Sequence, residues 1–212
     1  MGAISQMIFA ALSPPYKVIY ADPPWQFQTW SHRGAGKGAE QHYKTMSLDD
    51  ICSLPVAEIA EQDAALFLWV VQPQLPEAMR VIKAWGFEYK TVAFVWMKMA
   101  KSWRALSANP QINERTKPKL GLGYHTRSGT EQCWLAIRGK GYKRVAQGVE
   151  QVIIAPLREH SRKPNEAMER IEALTGNVNR VELFARGHRA GWDSWGLERE
   201  KFNAATQDWR YF

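Results

Sequence analysis

Lys17-Val18-Ile19-Tyr20-Ala21-Asp22-Pro23-Pro24-Trp25 decides how the rest of the chain is read. Its first five residues form an apolar run of the kind that makes a strand buried on both faces. Two prolines then stop the strand, because neither can donate to a sheet ladder. Asp22 is thereby placed at the carboxyl end of a buried strand, which is where open α/β sheets keep their ligands. The plainer alternative is a proline-rich turn that merely ends a strand. The long glycine-rich stretch that follows makes that alternative the weaker one.

Working outward, further apolar runs at 65–71, 91–97, 132–137, 151–155 and 181–185 read as buried strands. Helical patterns lie between some of them. One covers 47–54, opened by the cap pair Ser47 and Asp50; another covers 76–85, closed by Gly86; a third covers 164–174, closed by Gly176. Strand and helix alternate, so the fold class is α/β, an open and mostly parallel sheet with helices on both faces. Two stretches do not fit the sheet. Residues 26–43 are polar and glycine-rich and read as a lid, and residues 101–130 read as a second irregular excursion.

The chain has 212 residues, 45% hydrophobic and 23% charged, which suits one globular domain over 1–212. The apolar stretch 4–12 is short, lacks a basic lead-in and ends at Pro14-Pro15, unlike a signal peptide or a membrane span. A cytoplasmic protein without membrane contact is expected. Cys52 and Cys133 lie far apart with no CxxC or His partner, so neither a disulfide framework nor a metal is expected. Charge is unevenly spread. Residues 98–148 hold eleven lysines and arginines against two acids, while the whole chain has a net charge of +7. A local basic excess suits an anionic partner such as nucleic acid, and equally suits a solvated face.

Asp-Pro-Pro-Trp has a chemistry that suits an aromatic amine. Such an amine delocalises its lone pair into the ring and is a poor nucleophile. The Asp22 carboxylate can accept one N–H and the Pro23 carbonyl the other, drawing the nitrogen toward a tetrahedral geometry. Pro23 and Pro24 hold those acceptors still. Trp25 offers a flat face on which a purine could stack.

Together with Asp22-Pro23-Pro24-Trp25, several blocks resemble the MT-A70 family of adenine-N6 methyltransferases, in family order. They are Tyr43-Lys44-Thr45-Met46-Ser47-Leu48, Leu66-Phe67-Leu68-Trp69-Val70, Ala84-Trp85-Gly86-Phe87, Gly123-Tyr124-His125-Thr126-Arg127-Ser128, His160-Ser161-Arg162-Lys163-Pro164, Glu182-Leu183-Phe184-Ala185-Arg186 and Gly191-Trp192-Asp193. The resemblance is closest to the compact bacterial and phage members and spans nearly the whole chain. It implies a Rossmann-like methyltransferase fold in permuted order, with the catalytic loop early and the cofactor strand last, and no GxGxxG is present. It implies S-adenosyl-L-methionine as cofactor. Lys163 would then contact its methionine portion and Glu182, Phe184, Arg186 and His188 its ribose and adenine, with Glu198 also available and Asp22 touching both cofactor and substrate.

For nucleic acid, the candidate contacts are Lys98, Lys101, Arg104, Lys117, Lys119, His125 and Arg127. DNA is expected before RNA, because the chain is small and carries no appended RNA-binding module. An RNA adenine-N6 methyltransferase and a catalytically silent nucleic-acid-binding member are the alternatives, and a homodimer is compatible with the resemblance. Two positions depart from the pattern. Arg189 and Leu197 stand where relatives usually carry Asn, and leucine cannot hydrogen-bond a ribose hydroxyl. Asparagine at 197 is therefore expected to tighten cofactor binding.

Overall fold

Strand β1 (Tyr16–Ala21) divides the core of the protein. Successive side chains of a strand point to opposite faces. Ile19 and Ala21 accordingly face one apolar cluster, and Val18 and Tyr20 face the other. The same division runs through β2 (Ala60–Val70), whose Leu66, Leu68 and Val70 join the first cluster while Ala65, Phe67 and Trp69 join the second. The computed structural model describes residues 8–26, 45–100, 103, 117–121, 123–159 and 161–202.

Around these strands lie β3 (Glu88–Met99), β4 (Thr130–Arg138), β5 (Val152–Pro156), β6 (Arg180–Leu183) and β7 (Asp193–Trp195), in the sheet order β5-β3-β4-β2-β1-β6-β7. Four neighbouring pairs are parallel. Only β4 runs against its neighbours β2 and β3. The sheet is thus mostly parallel, as the alternation of elements implies.

Helices α1 (Leu48–Ser53), α2 (Val56–Ile59) and α3 (Leu75–Ala84) cover the first cluster, and α4 (Asn165–Thr175) covers the second. Each end is set locally. Ser47 Oγ accepts from the Asp50 amide at 3.1 Å and donates to the Asp50 carboxylate at 2.7 Å, capping α1. Helix α3 buries Ala78, Val81, Ile82 and Trp85 on one stripe and ends at Gly86, with φ of 80°. There the Phe87 amide donates to Ile82 O at 3.0 Å and the Gly86 amide to Lys83 O at 3.1 Å, the two bonds of a Schellman end.

Several expectations need correction. Strand β2 begins at Ala60 and not at 65: Ala60 pairs with Tyr16 of β1 ahead of a bulge, and Ala64 pairs with Arg138 of β4. The first part of β3 is largely exposed, so that strand is not buried on both faces throughout. Helix α2 and strand β7 are too short for periodicity to reveal. Residues 27–44, which hold the expected lid, lie outside the described residues, as does most of 101–116. Among the described residues, no helix is long and apolar enough to cross a membrane.

Gly176 closes α4 with φ of 66° and ψ of −152°, a conformation essentially restricted to glycine, and a Cβ there would meet Val145 Cγ2 at 2.9 Å. Gly176→Ala is expected to destabilise the fold by about 1–3 kcal/mol, measured as a lower urea midpoint with an unchanged m-value.

Candidate active site

The strand order turns at β1. The chain runs from β1 to β2 on one side, while β6, on the other, arrives only near the end of the sequence. Ligand clefts of open sheets form at such a switch, beyond the carboxyl ends of the strands. A cleft of about 720 Å³, counted to its open mouth, lies there. Tyr20 and Asp22 supply its β1 wall, Glu182, Phe184 and Arg186 its β6 wall, and Lys163, Pro164 and Met168 the approach to α4. Two non-glycine residues on this lining, Ser161 and Phe184, have φ of 61° and 63°. Left-handed backbone of this kind is rare outside glycine and concentrates at ligand sites.

Local bonds hold the Asp22 loop rigid. Trp25 and Met46 form a β-bridge in which the Met46 amide donates to Pro24 O at 2.9 Å. The Trp25 indole donates to Trp69 O at 3.2 Å, and the Trp69 indole donates to the Tyr20 hydroxyl at 2.6 Å. Trp25 is 4% exposed and belongs to the first cluster. It anchors the loop from below, so the expected open stacking face is not present. The Pro23 carbonyl accepts from the Trp25 amide at 2.8 Å and keeps a second lone pair.

At the centre, Lys163 Nζ donates to Asp22 Oδ2 at 2.7 Å and to Ser161 O at 3.3 Å, and sits 5.5 Å from the Trp69 ring centroid. Its side chain is 7% exposed. Burial pushes the Asp22 carboxyl above its ordinary value, and the Lys163 ammonium offsets only part of that rise. Glu182 lies on the same wall and is pushed up to about 7, chiefly by burial and then by the Asp22 charge.

Of the residues expected to hold the cofactor, Asp22, Lys163, Glu182, Phe184, Arg186 and His188 all line this one cleft. Glu198 does not line it but receives Arg186 Nε at 2.8 Å, so it orients a wall residue. Phe202 lies between Arg162 and Arg186, 4.6 and 5.1 Å from the two guanidinium carbons, at the cleft lining. Sequence reasoning missed it, along with Tyr20 and Arg162. Arg189 lines the cleft and grips Glu172 of α4 with two bonds of 2.7 and 2.9 Å, while Glu172 also accepts the Trp192 indole at 2.7 Å. The arginine at 189 is thus a clamp between the β6 loop and α4. Leu197 is 95% exposed and off the cleft wall, so the reason for expecting tighter binding from Asn at 197 fails.

The basic residues separate into groups. Lys98 does not face solvent as a phosphate ligand would; it pairs with Glu131 at 3.2 Å over the Trp96 ring. Arg127 is exposed, with Nε donating to Gly121 O at 2.6 Å. Lys117, Lys119 and His125 are exposed, and Lys101 and Arg104 lie outside the described residues. Among the described residues, no group of three or more His, Cys, Asp or Glu side chains could hold a metal ion.

Because folding raises Glu182 from 4.5 to about 7, the folded chain binds a proton there that the unfolded chain has lost. Stability contributed by this group falls as pH rises from about 4.5 to about 7 and is level above that. Glu182→Gln is expected to flatten that stretch and to be more stable than the parent at pH 8, read from urea midpoints across the range.

The MT-A70 family profile matches residues 16–198, from the first residue of β1 to just past β7. The type II methyltransferase M.MunI of Mycoplasma is 34% identical over 199 residues, covering 86% of this chain and 77% of its own. An N(6)-adenosine-methyltransferase MT-A70-like protein of Arabidopsis thaliana is 29% identical over 85% of this chain, and the catalytic subunit METTL3 of Homo sapiens 28% identical over 82%. The chain spans 23% and 26% of those two proteins. A profile match that encloses every strand of the sheet and all of the cleft lining but Phe202 places this chain in the MT-A70 family of adenine-N6 methyltransferases.

Proposed function

We propose that the protein transfers the methyl group of S-adenosylmethionine to the exocyclic N6 amine of adenine in DNA. The observation that carries this reading is the Asp22 carboxylate, held at 2.7 Å by a buried lysine on the wall of the switch-point cleft. The cleft suits such a cofactor chemically. Lys163 and Arg186 offer cations to a carboxylate, beside the N-terminal turn of α4, which favours negative charge. Glu182 is a poorly solvated carboxylate available to hydroxyl or amine donors, and Phe184 supplies apolar surface to a flat ring. When bound, the cofactor supplies an electrophilic methyl group on a sulfonium centre.

The remaining steps belong to this chain. Asp22 accepts one N–H of the adenine amine, and the free lone pair of the Pro23 carbonyl accepts the other, turning the nitrogen lone pair toward the cleft. Lys163 favours the ionised form of Asp22 against the effect of burial, and the acceptor role uses that form. The base must leave its stack to reach Asp22. Trp25 and Met46 keep the loop from yielding as it arrives. DNA is favoured because identity is higher to the type II methyltransferase, 34%, than to the two adenosine methyltransferases, 29% and 28%. RNA is the second reading, favoured by the names of those relatives.

Incubation with labelled S-adenosylmethionine and matched DNA and RNA oligomers, followed by nucleoside mass spectrometry, separates the two. N6-methyladenosine formed only in RNA would overturn the DNA reading. Asp22→Ala at saturating cofactor is expected to slow transfer on the order of 100-fold or more, since a preorganised acceptor is lost. Unchanged turnover with an intact circular dichroism spectrum would place the active site elsewhere. Lys117 and Lys119 are proposed to reach phosphates. Replacing both with alanine should lower the slope of log K against log salt by about 0.9 per lost contact on duplex DNA.

A further inference from the structure

Asp22 is the last member of a line of alternating charges. Lys98 Nζ lies 3.2 Å from Glu131 Oε2, the same oxygen lies 3.8 Å from Lys163 Nζ, and Lys163 donates to Asp22 at 2.7 Å. All four side chains are mostly buried, with Glu131 at 14% and Lys163 at 7% exposure. The far end of the line is fixed by the sheet. Trp96 of β3 pairs in register with Glu131 of β4, the Lys98 amide donates to Gly129 O at 2.9 Å, and the Lys98 ammonium rests 5.2 Å from the Trp96 ring centroid.

We propose that Lys98 is a positioning residue for methyl transfer, holding Glu131 so that Lys163 remains with Asp22. The inference rests on the role proposed above for Asp22. A carboxylate in so poorly solvated a place takes its counter-charge from whatever cation is nearest. With Lys98 present, Glu131 has a partner on its own side. Without it, Glu131 still has the Lys163 ammonium within 3.8 Å, and Lys163 is drawn from Asp22 toward Glu131. The charge of Glu131 already opposes ionisation of Asp22 and that of Lys163 favours it. The other described groups that act on Asp22 or feel its charge are Arg186 beyond β6, Glu182 on β6, Tyr20 on β1 and Cys133 on β4. None of them changes in the variants below.

The test compares the parent with Lys98→Met, Lys98→Gln, Lys98→Arg and the double variant Lys98→Met/Glu131→Gln. The substrate is plasmid DNA from a host lacking adenine methylation, and methyl transfer is followed across pH. The acid limb of kcat/KM reports groups of the free enzyme. In Lys98→Met and Lys98→Gln that limb is expected to move up by about one pH unit, so that kcat/KM falls about tenfold on the acid side of the limb and little above it. Lys98→Arg should keep the parental profile, and the double variant should return to it, because the competing charge is gone. The slope of DNA binding against salt should not change in any of them. A slope lower by about 0.9 with the acid limb in place would make Lys98 a phosphate ligand and overturn the proposal. So would a double variant that keeps the displaced limb. Should Lys98→Met fail to fold, the Gln and Arg pair carries the same comparison. Absence of N6-methyladenine from parental reactions would count against the underlying function, whereas normal parental activity with unshifted variants would count against Lys98 alone.

Discussion

The pairing of Asp22 with Lys163 is the constraint around which the rest of the molecule is arranged. Both groups are largely removed from water, and burying a charge without a partner is costly enough that the group neutralises instead. The two partners come from distant parts of the chain. Asp22 ends β1, near one side of the sheet, while Lys163 follows β5 at the opposite edge. Only a segment that leaves β5, crosses the face of the sheet and returns beside β1 as β6 can bring them together. The segment between β5 and α4 makes that crossing before Lys163, and α4, seated by Ala167, Met168 and Ile171 on the second apolar cluster, leads on to β6. The length of the crossing is what sets Lys163 over Trp69 rather than at the sheet edge.

Strain is concentrated where this crossing meets the cleft. Ser161 lies two residues before Lys163, and Phe184 two residues after Glu182, both in left-handed backbone. Such conformations cost on the order of 1–3 kcal/mol each and persist only where neighbours hold them. Phe184 meets the edge of Trp195 at 5.5 Å, and the Ala185 amide donates to Trp195 O at 2.9 Å. Gly196 permits that approach. A Cβ there would lie 2.7 Å from the Ala185 amide nitrogen. The short strand β7 therefore serves the site as much as the sheet, since it fixes the turn on which Phe184 and Arg186 are carried.

Much of this was legible in the sequence, for reasons that also mark where reading stops. Buried strands and capped helices leave periodic signals within one segment, so β1, α1, α3 and α4 could be placed to within a few residues. The Asp-Pro-Pro-Trp tetrapeptide announced the strand end that lines the cleft. What could not be read depends on partners distant in sequence. Glu61, Gln62 and Asp63 lack the apolar pattern of a strand and lie in one because pairing is set on either side of them, Ala60 with Tyr16 and Ala64 with Arg138. Trp25 looks like a stacking platform until Trp69 is seen to accept its indole proton. Arg189 looks like a bare departure from the asparagine of relatives until Glu172 is found 2.7 Å away.

Charge counting fails in the same way, and the failure limits how nucleic acid can approach. The basic excess of residues 98–148 looks like one surface when written as a line. In the fold, β4 passes through the middle of it, with Thr130 at the end of the sheet that carries Asp22 and Arg138 at the other. The eight steps of about 3.3 Å between Thr130 and Arg138 separate those ends by about 26 Å. Lys140, Lys143 and Arg144 follow Arg138 and are exposed at the far end. Arg138 itself is turned inward, donating to Ala57 O at 2.6 Å. Lys98 is held by Glu131, which leaves Lys117, Lys119, His125 and Arg127 as the exposed basic groups described near the cleft end. They stand on the segment that joins β3 to β4 and is tied to Lys98 through the Lys119 amide. Under the function proposed above, that segment is the proposed place of the first phosphate contacts of a duplex presenting a base to Asp22. If the proposed function holds, the far group lies too distant to touch the phosphates that flank a flipped base, and its charge would act on approach rather than on placement.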